Sequence, residues 1–225
     1  METRDDCILK AAPLTIDRAA TPFVLIALVP AVAAFALGAA LPGVLLLLLL
    51  PIAIGLFFRD PDRSPSQDPR VVLSPADGVV MHAGEARPAE APAGTWNQVT
   101  IFLSVLDVHI NRTPTAGTVT RVEYVPGSFH AAFRHDAYRN EHSEVWLDRS
   151  GIPVVFRQVV GLLARRVVCR VKPGDVLRAG DRVGLMKFGS RMDVFLPASS
   201  EITVKPGDRV RGGETVIGRL TTERS

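Results

Sequence analysis

The sequence Lys172-Pro-Gly-Asp-Val-Leu-Arg-Ala-Gly-Asp-Arg-Val-Gly184 has a near copy, which begins 33 residues later: Lys205-Pro-Gly-Asp-Arg-Val-Arg-Gly-Gly-Glu-Thr-Val-Ile-Gly218. Each copy contains a Gly-Asp turn, a short apolar piece and a second turn, because Gly and Asp favour tight turns. Coincidence in a chain rich in Gly, Val and Arg is the alternative, but the matched order favours a true repeat. The repeat therefore predicts two similar β-hairpin units.

Short Val-rich runs, separated by Gly, Pro and Asp, predict further strands around this repeat. They are Val71–Leu73, Gly78–His82, Gln98–Leu103, Gly117–Tyr124, Glu144–Leu147, Val154–Val160, Arg166–Val171, Arg191–Leu196 and Glu201–Val204. One helix is predicted around 128–138, with Phe129, Ala132 and Phe133 on one face. We therefore predict a mainly β (α+β) domain of the lipoyl/biotinyl-like β-sandwich type, in which two such hairpin units pack face to face.

The N-terminal region is a different object, since no charged residue occurs from Ala19 to Phe58, a stretch of 40 positions. A single membrane span needs about 20 apolar residues, so this length predicts a transmembrane helical hairpin. The spans are predicted at about 23–37 and 44–58, with kinks at Pro30 and Pro51. Residues 1–58 are thus a membrane anchor, the Pro-rich and charged stretch 59–70 a linker, and 71–225 a folded domain.

The flanks of the predicted hairpin carry positive charge on both sides: Arg4, Lys10 and Arg18 before it, and Arg59, Arg63 and Arg70 after it. The positive-inside rule then places both ends, and the folded domain, on the cytoplasmic side of the cell membrane. A cleaved signal peptide predicts a shorter apolar stretch and a small-residue cleavage site. A single tilted span with an exported domain is the other alternative.

Composition excludes several other classes of function. The net charge of +3 is mild, and no block of Lys and Arg interleaved with aromatic residues indicates nucleic-acid binding. Cys7 and Cys169 lie in different regions, so we expect no disulfide between them. No CxxC or Cys/His cluster indicates a metal site.

Two short stretches contain residues suited to acid–base chemistry. Ser74-Pro75-Ala76-Asp77-Gly78 alone is typical of a surface turn before a strand. In Asp107-Val108-His109, the acid and the histidine would share one face of a strand, and a carboxylate neighbour can hold a histidine in one tautomer as a base. A structural, hydrogen-bonded histidine is the alternative, and for an isolated Asp-x-His it is favoured.

Gly189-Ser190 is a peptide bond that can rearrange. The serine hydroxyl can attack the preceding carbonyl to give an ester, and β-elimination then leaves dehydroalanine, which hydrolyses to a pyruvoyl group. Glycine on the acyl side permits close approach, and a base must take the serine proton. Gly-Ser pairs are common, however, so this dipeptide alone is weak evidence.

Taken together in order and spacing, these stretches resemble the phosphatidylserine decarboxylase family in its short bacterial and archaeal form. The resemblance covers nearly the whole chain and is carried by the apolar N-terminal region, Phe57-Phe58-Arg59-Asp60-Pro61, Ser74-Pro75-Ala76-Asp77-Gly78, Asp107-Val108-His109-Ile110-Asn111-Arg112, Pro114, Gly117, Asn140-Glu141 and Lys187-Phe188-Gly189-Ser190-Arg191.

The resemblance implies a self-cleaving proenzyme. Asp77 would orient His109, and His109 would deprotonate Ser190, which attacks the Gly189 carbonyl. The products would be a β chain, 1–189, and an α chain, 190–225, that stay associated and carry a pyruvoyl group derived from Ser190. A Schiff base between this group and the amine of phosphatidylserine would lead to decarboxylation, with His109 as proton donor and with neither pyridoxal phosphate nor a metal. A homo-oligomer remains open.

Two positions depart from the family's usual pattern. His142 stands where the family usually has Arg after Asn-Glu, so no role is carried over to it. Phe188-Gly189-Ser190-Arg191 replaces the Leu-Gly-Ser-Thr of long-form relatives, which suits the short form. From the residues alone, Asn140-Glu141-His142 can bind substrate or cap a helix.

Two rival functions remain. Met186-Lys187-Phe188 is similar to the Met-Lys-Met hairpin of biotin carriers, which would make Lys187 a modification site in a membrane-tethered carrier domain. That alternative leaves Asp77, His109 and the Gly-Ser pair without a role. A structural adaptor of an export system is the third alternative, and neither rival predicts self-cleavage.

Overall fold

A computed structural model of the chain describes residues 15–162, 167–186 and 190–221. These residues fall into two compact units, of which one ends at Asp62 and the other begins at Arg63. The stretch 59–70, predicted as a linker, is divided between them. The Arg63 side chain is largely buried, and its guanidinium forms ion pairs with Asp77 and Glu214.

The first unit is a pair of apolar helices, α1 (Thr21–Ala36) and α2 (Leu41–Phe57), and a short 3-10 turn, Arg18–Ala20, precedes α1. Both helices have proline in their first turn, where its missing N–H costs nothing. Together with the 3-10 turn, α1 gives a 19-residue helical stretch that is long and apolar enough to cross a membrane, by length and composition alone.

The two ends of this helical pair meet. Strand β1 (Thr15–Ile16) pairs antiparallel with β2 (Arg59–Asp60), so that Thr15 lies opposite Asp60. The residues just before α1 and just after α2 therefore lie at the same end of the pair.

The second unit is mainly β. Its strands are β3 (Val71–Leu73), β4 (Gly78–Glu85), β5 (Trp96–Leu103), β6 (Ile110–Arg112), β7 (Gly117–Val125), β8 (His142–Arg149), β9 (Ile152–Val159), β10 (Val167–Cys169), β11 (Val176–Leu177), β12 (Arg182–Met186), β13 (Ser190–Pro197), β14 (Glu201–Ile202), β15 (Arg209–Val210) and β16 (Val216–Arg219). Each of the nine predicted strands overlaps one of these, which confirms the mainly β class.

Three sheets share one core. The large sheet has the order β11-β7-β8-β9-β13-β5-β4-β15, and two three-stranded sheets have the orders β10-β12-β6 and β14-β16-β3. Val72, Val183 and Ile217 of the small sheets pack in one buried cluster with side chains of the large sheet such as Met192 and Phe156. Strand β13 lies between β9 and β5 at the centre of the large sheet, and it is buried from Ser190 to Leu196.

The repeated sequence forms two equivalent turns. In each copy, the aspartate side chain accepts a hydrogen bond from the lysine N–H three residues earlier, at 2.9 Å from Lys172 to Asp175 and at 3.0 Å from Lys205 to Asp208. The glycine of each turn has a positive φ, which residues with a Cβ rarely adopt: 92° at Gly174. The repeat is therefore confirmed as two equivalent turns, but the predicted hairpins are wrong, because the strands of each copy pair with strands outside it: β11 with β7, β12 with β6, β15 with β4 and β16 with β3.

The equivalence extends to two further stretches. The Ser74 hydroxyl donates to the Ala76 carbonyl at 2.6 Å, and the Thr113 hydroxyl donates to the Thr115 carbonyl at 2.7 Å. We call β3, β4, β15 and β16 the Ser74 half, and β6, β7, β11 and β12 the Thr113 half. In both halves an N–H from the repeat reaches the carbonyl of the Ser or Thr: Gly213 to Ser74 at 2.8 Å, and Gly180 to Thr113 at 3.0 Å.

The helix predicted around 128–138 is wrong. Only a short 3-10 helix, His135–Arg139, forms there. The buried Asn140 side chain instead fixes the preceding loop, because its amide donates to the carbonyls of His130 at 2.7 Å and of Val160 at 2.8 Å. Such side-chain bonds to the backbone offer the chain an alternative to a helix.

Candidate active site

Ser190 is the first residue of β13 and lies opposite Leu103, the last residue of β5. Its side chain is fully buried, and its hydroxyl has no hydrogen-bond partner among the residues that the structure describes. A buried polar atom without a partner is unusual enough to require an explanation, and a catalytic role is one of the few available. The predicted cleavage partner Gly189 lies outside the described residues.

His109 is buried directly before β6. Its Nδ1 atom lies 2.8 Å from the carbonyl oxygen of Asp107. Because a carbonyl oxygen only accepts, Nδ1 carries a hydrogen, and in the neutral ring Nε2 keeps its lone pair. The ring is therefore held in the tautomer whose Nε2 can take a proton.

The strand predicted through Asp107 and His109 is a turn instead. The Ser104 N–H donates to the Asp107 carboxylate at 2.8 Å, and the Asp107 N–H donates to the Ser104 carbonyl at 3.0 Å. The Asp107 side chain thus closes the turn, and the backbone carbonyl of the same residue orients His109. Sequence spacing identified the right pair of residues but the wrong contact.

The fold brings His109 and Ser190 to the same short connection. The Met186 N–H, at the end of β12, donates to the His109 carbonyl at 3.2 Å, and Ser190 begins β13. The connection that crosses from the small sheet to the large one, residues 187–189, contains Lys187 and Gly189 and lies outside the described residues. His109 adjoins one end of this connection, and Ser190 forms the other end.

Asp77 takes part in a different set of hydrogen bonds. Its carboxylate accepts from the Arg63 guanidinium at 2.8 and 3.0 Å and from the Gly212 N–H at 2.7 Å. The structure therefore does not join Asp77 to His109 by a hydrogen bond. Sequence analysis missed Arg63, because nothing in a Pro-rich and charged stretch indicates a buried partner.

Two further polar side chains lie in the interior near the serine. The Gln158 amide donates to the Asn111 side-chain oxygen at 2.8 Å, but within the described part of the chain Gln158 Oε1 and Asn111 Nδ2 have no partner. Gln158 lies opposite Met192, two residues along β13 from Ser190 on the same face of the sheet. Sequence analysis missed Gln158, since a lone Gln in a Val-rich strand carries no signal.

Asn140 and His142, left open by the sequence, take part in hydrogen bonds of a loop. Besides the bonds of the Asn140 amide, the Nδ1 atom of the largely buried His142 lies 2.9 Å from the Asn140 carbonyl oxygen. These contacts fix the loop that ends beside Val160.

The end of the large sheet that carries Ser190 is surrounded by exposed apolar side chains. Val105 and Leu106 occupy the turn after β5, and Leu106 is 84% exposed. Phe133 packs edge-on against Phe102, with ring centroids 6.1 Å apart, and Leu162 follows β9. These side chains give the surface around the buried serine an apolar character.

No group of three or more His, Cys, Asp or Glu side chains suited to a metal ion occurs within residues 15–162, 167–186 and 190–221. Cys169 is a free thiol, and burial raises its pKa.

Comparison with known proteins identifies the family. The model of the phosphatidylserine decarboxylase family matches residues 51–218. Among curated proteins, a phosphatidylserine decarboxylase proenzyme of Symbiobacterium thermophilum is 48% identical over 188 residues, which cover 83% of this chain and 85% of that protein. Proenzymes of the same name from Solibacter usitatus and Chlorobium chlorochromatii are 45% and 46% identical, over 80% and 72% of this chain and 84% and 77% of those proteins.

The match includes the segments that carry Asp77, His109 and Ser190, and it leaves out most of the N-terminal apolar region. The chain therefore belongs to the phosphatidylserine decarboxylase family.

Proposed function

We propose that this chain makes its own pyruvoyl group by cutting the bond between Gly189 and Ser190, and that this group serves the decarboxylation of phosphatidylserine to phosphatidylethanolamine. The decarboxylase activity follows from membership of the family. The observation that best supports self-cleavage is the buried Ser190 hydroxyl, which has no hydrogen-bond partner within residues 15–162, 167–186 and 190–221.

In the proposed cut, His109 Nε2 takes the hydroxyl proton of Ser190, and the hydroxyl oxygen attacks the Gly189 carbonyl. The peptide C–N bond breaks and an ester forms, with the amine of Ser190 as leaving group. Loss of the proton on the α-carbon of Ser190 then expels the Gly189 carboxylate and leaves a double bond at residue 190. Addition of water and loss of ammonia leave the pyruvoyl group at the start of the α chain.

The surroundings of residue 190 fit such a group. Of the buried polar atoms on this side of the sheet, Asn111 Nδ2 is a donor without a partner among the described residues, which suits a carbonyl oxygen at residue 190. When present, the pyruvoyl group supplies a carbonyl that condenses with the substrate amine and accepts electrons as carbon dioxide leaves. The Asp107 carbonyl accepts from His109 Nδ1, which supports a role for His109 Nε2 in returning a proton to the substrate.

Asp77 is the third residue of the proposed set. The hydrogen bonds that it accepts from Arg63 and Gly212 support a contribution through these groups.

The apolar surface around the site supports access from a lipid bilayer. Leu106, Phe133 and Leu162 are strongly exposed where the serine is buried, which suits a substrate whose acyl chains remain in the membrane. The apolar helices α1 and α2, with both ends at the same end of the pair, support a hairpin anchor. On the positive-inside rule, we propose that the catalytic unit lies on the cytoplasmic side.

The paired turns of the two halves support a finer description of the fold as a lipoyl/biotinyl-like β-sandwich. What supports this description is that the Ser74 and Thr113 halves are related in sequence and hydrogen bonding and contribute to one core. We propose this description for the second unit.

Intact-mass spectrometry of the denatured protein, with wild type beside Ser190→Ala, tests the cut. We expect two chains from wild type, 1–189 and 190–225, the smaller blocked by a pyruvoyl group, and one uncut chain from the variant. An uncut wild-type chain would exclude the proposed cofactor, and a biotin-sized or lipoyl-sized mass increase on Lys187 would then favour the carrier alternative.

A further inference from the structure

We propose that Glu90 is a positioning residue, which holds the start of the α chain in place through Arg191 once the chain has been cut. The proposal rests on the cut between Gly189 and Ser190. Arg191 is the residue next to Ser190, and it distinguishes this chain from relatives with Thr at that position.

Arg191 points to the face of the large sheet opposite to Ser190 and is 2% exposed. Its guanidinium donates to the Glu90 carboxylate and, at 2.8 Å, to the Asp193 carboxylate. A buried arginine between two buried carboxylates has one fixed geometry, because the planar guanidinium has its donors in a rigid fork.

Both carboxylates are held by further donors. Asp193 accepts from the Thr100 hydroxyl at 2.7 Å, and Glu90 accepts from the Gln98 amide at 2.8 Å. Glu90 also accepts from Arg87 at 3.1 Å. The loop that carries Glu90, between β4 and β5, is therefore fixed over this face of the sheet.

Cutting the chain leaves residue 190 at a chain end. In the uncut chain it has covalent bonds on both sides, but in the cut chain its one covalent neighbour is Arg191, beside its pairing with Leu103 of β5. Chain ends lose order readily unless other contacts fix them. Asp193 belongs to the same new chain as Arg191, so Glu90 contributes the carboxylate that ties the guanidinium to the β chain.

The charges of this pair persist in the folded protein. Burial by itself would raise the pKa of Glu90, but the Arg191 charge and hydrogen bonds from Gln98 and Arg191 outweigh it and hold the pKa below its usual value. Burial would likewise lower the pKa of Arg191, but Asp193 and Glu90 together raise it.

Hydrogen exchange of the full-length protein in detergent tests the proposal, with Glu90→Gln compared in two backgrounds. One is the cut protein, and the other is Ser190→Ala, which stays uncut. Glu85→Gln is the matched control, because Glu85 ends β4 with an exposed side chain. The readouts are exchange in the peptide 191–197, intact mass and decarboxylation.

In the cut protein we expect Glu90→Gln to speed exchange of this peptide about tenfold, and to lower kcat about tenfold with little change in KM, since small misplacements of a reacting group are costly. In the uncut background we expect less than about a twofold change in exchange, because the covalent chain still holds residue 190. Glu85→Gln should match wild type in both.

Equal acceleration in both backgrounds would give Glu90 a merely structural role and overturn the proposal, as would unchanged exchange in the cut protein. Should Glu90→Gln not fold, Glu90→Asp, which keeps the charge but shortens the reach, is judged by the same criteria. A wild-type chain that is not cut would instead refute the proposed function, and intact mass shows this separately.

Discussion

The Ser74 half and the Thr113 half have matching strand pairs and backbone hydrogen bonds, which we call the frame, but different surroundings. The Leu220 N–H donates to the Arg70 carbonyl at 2.8 Å, as the Met186 N–H does to the His109 carbonyl at 3.2 Å. Arg70 and His109 thus hold matching positions, yet Arg70 is exposed and His109 is buried. The frame fixes the backbone, and the segment after each frame decides whether its side chains face water or the core.

After the frame of the Thr113 half, the chain crosses from Met186 to Ser190 at the centre of the large sheet. After the frame of the Ser74 half, it continues from Leu220 to the exposed Thr221. One copy of the repeat is therefore followed by the buried Ser190, and the other is followed by an exposed residue at the surface.

The largest effect on cleavage is expected from replacing His109, and not from replacing Arg70, which holds the matching position in the Ser74 half. We expect His109→Ala to abolish cleavage, because the proposed base is gone, while Arg70→Ala is cut like wild type. Intact mass after denaturation measures both. Cleavage of His109→Ala at the wild-type rate would assign the base to another residue.

A smaller effect is expected at Asp77, which the Ser74 half contributes. Asp77→Asn keeps the shape but removes the charge that pairs with Arg63, and we expect a loss of about 2 kcal/mol in the free energy of unfolding together with slower cleavage. Urea unfolding and a cleavage time course measure the two effects. The control is Asp68→Asn, whose partners Arg70 and Arg219 are exposed, and it should change stability much less than Asp77→Asn does.

The ion pair between Arg191, on the strand that follows the Thr113 half, and Glu90 should also make the free energy of unfolding depend on pH. Because the pKa of folded Glu90 lies below its usual value of 4.5, its contribution is present above that value and is lost as pH falls through the folded pKa. We expect the urea concentration at the unfolding midpoint of wild type to decrease as the pH is lowered below about 4.5, and that of Glu90→Gln to decrease less. Parallel curves for the two proteins would show that Glu90 is not a source of this dependence.

The smallest effects should be equal in the two halves. Gly174 and Gly207 have φ values of 92° and 96°, and a Cβ at either would have no heavy atom within 4 Å. We expect Gly174→Ala and Gly207→Ala each to cost about 1 kcal/mol, from backbone strain alone, without affecting cleavage. Unequal losses in urea unfolding would show that the two frames differ in energy.

Sequence patterns were sufficient for the parts of the fold that depend on local chemistry. The Gly-Asp turns of the repeat, the Val-rich strands and the apolar helices α1 and α2 follow from turn preference, alternation and hydrophobicity. The helix predicted around 128–138 does not form, because the side chain of Asn140, which lies outside that segment, donates to the backbone carbonyls of His130 and Val160. Contacts of this kind leave no periodic signal.

For the site, the sequence by itself predicted which residues carry the chemistry: Ser190 after a glycine, a histidine near an acid, and the spacing that marks the family. Only the tertiary structure decided their contacts. It gave His109 a carbonyl partner in place of a carboxylate, paired Asp77 with Arg63, and placed Glu90 on Arg191. These partners are up to 101 residues apart, so burial and distance between strands, which no local pattern encodes, determine which charges meet.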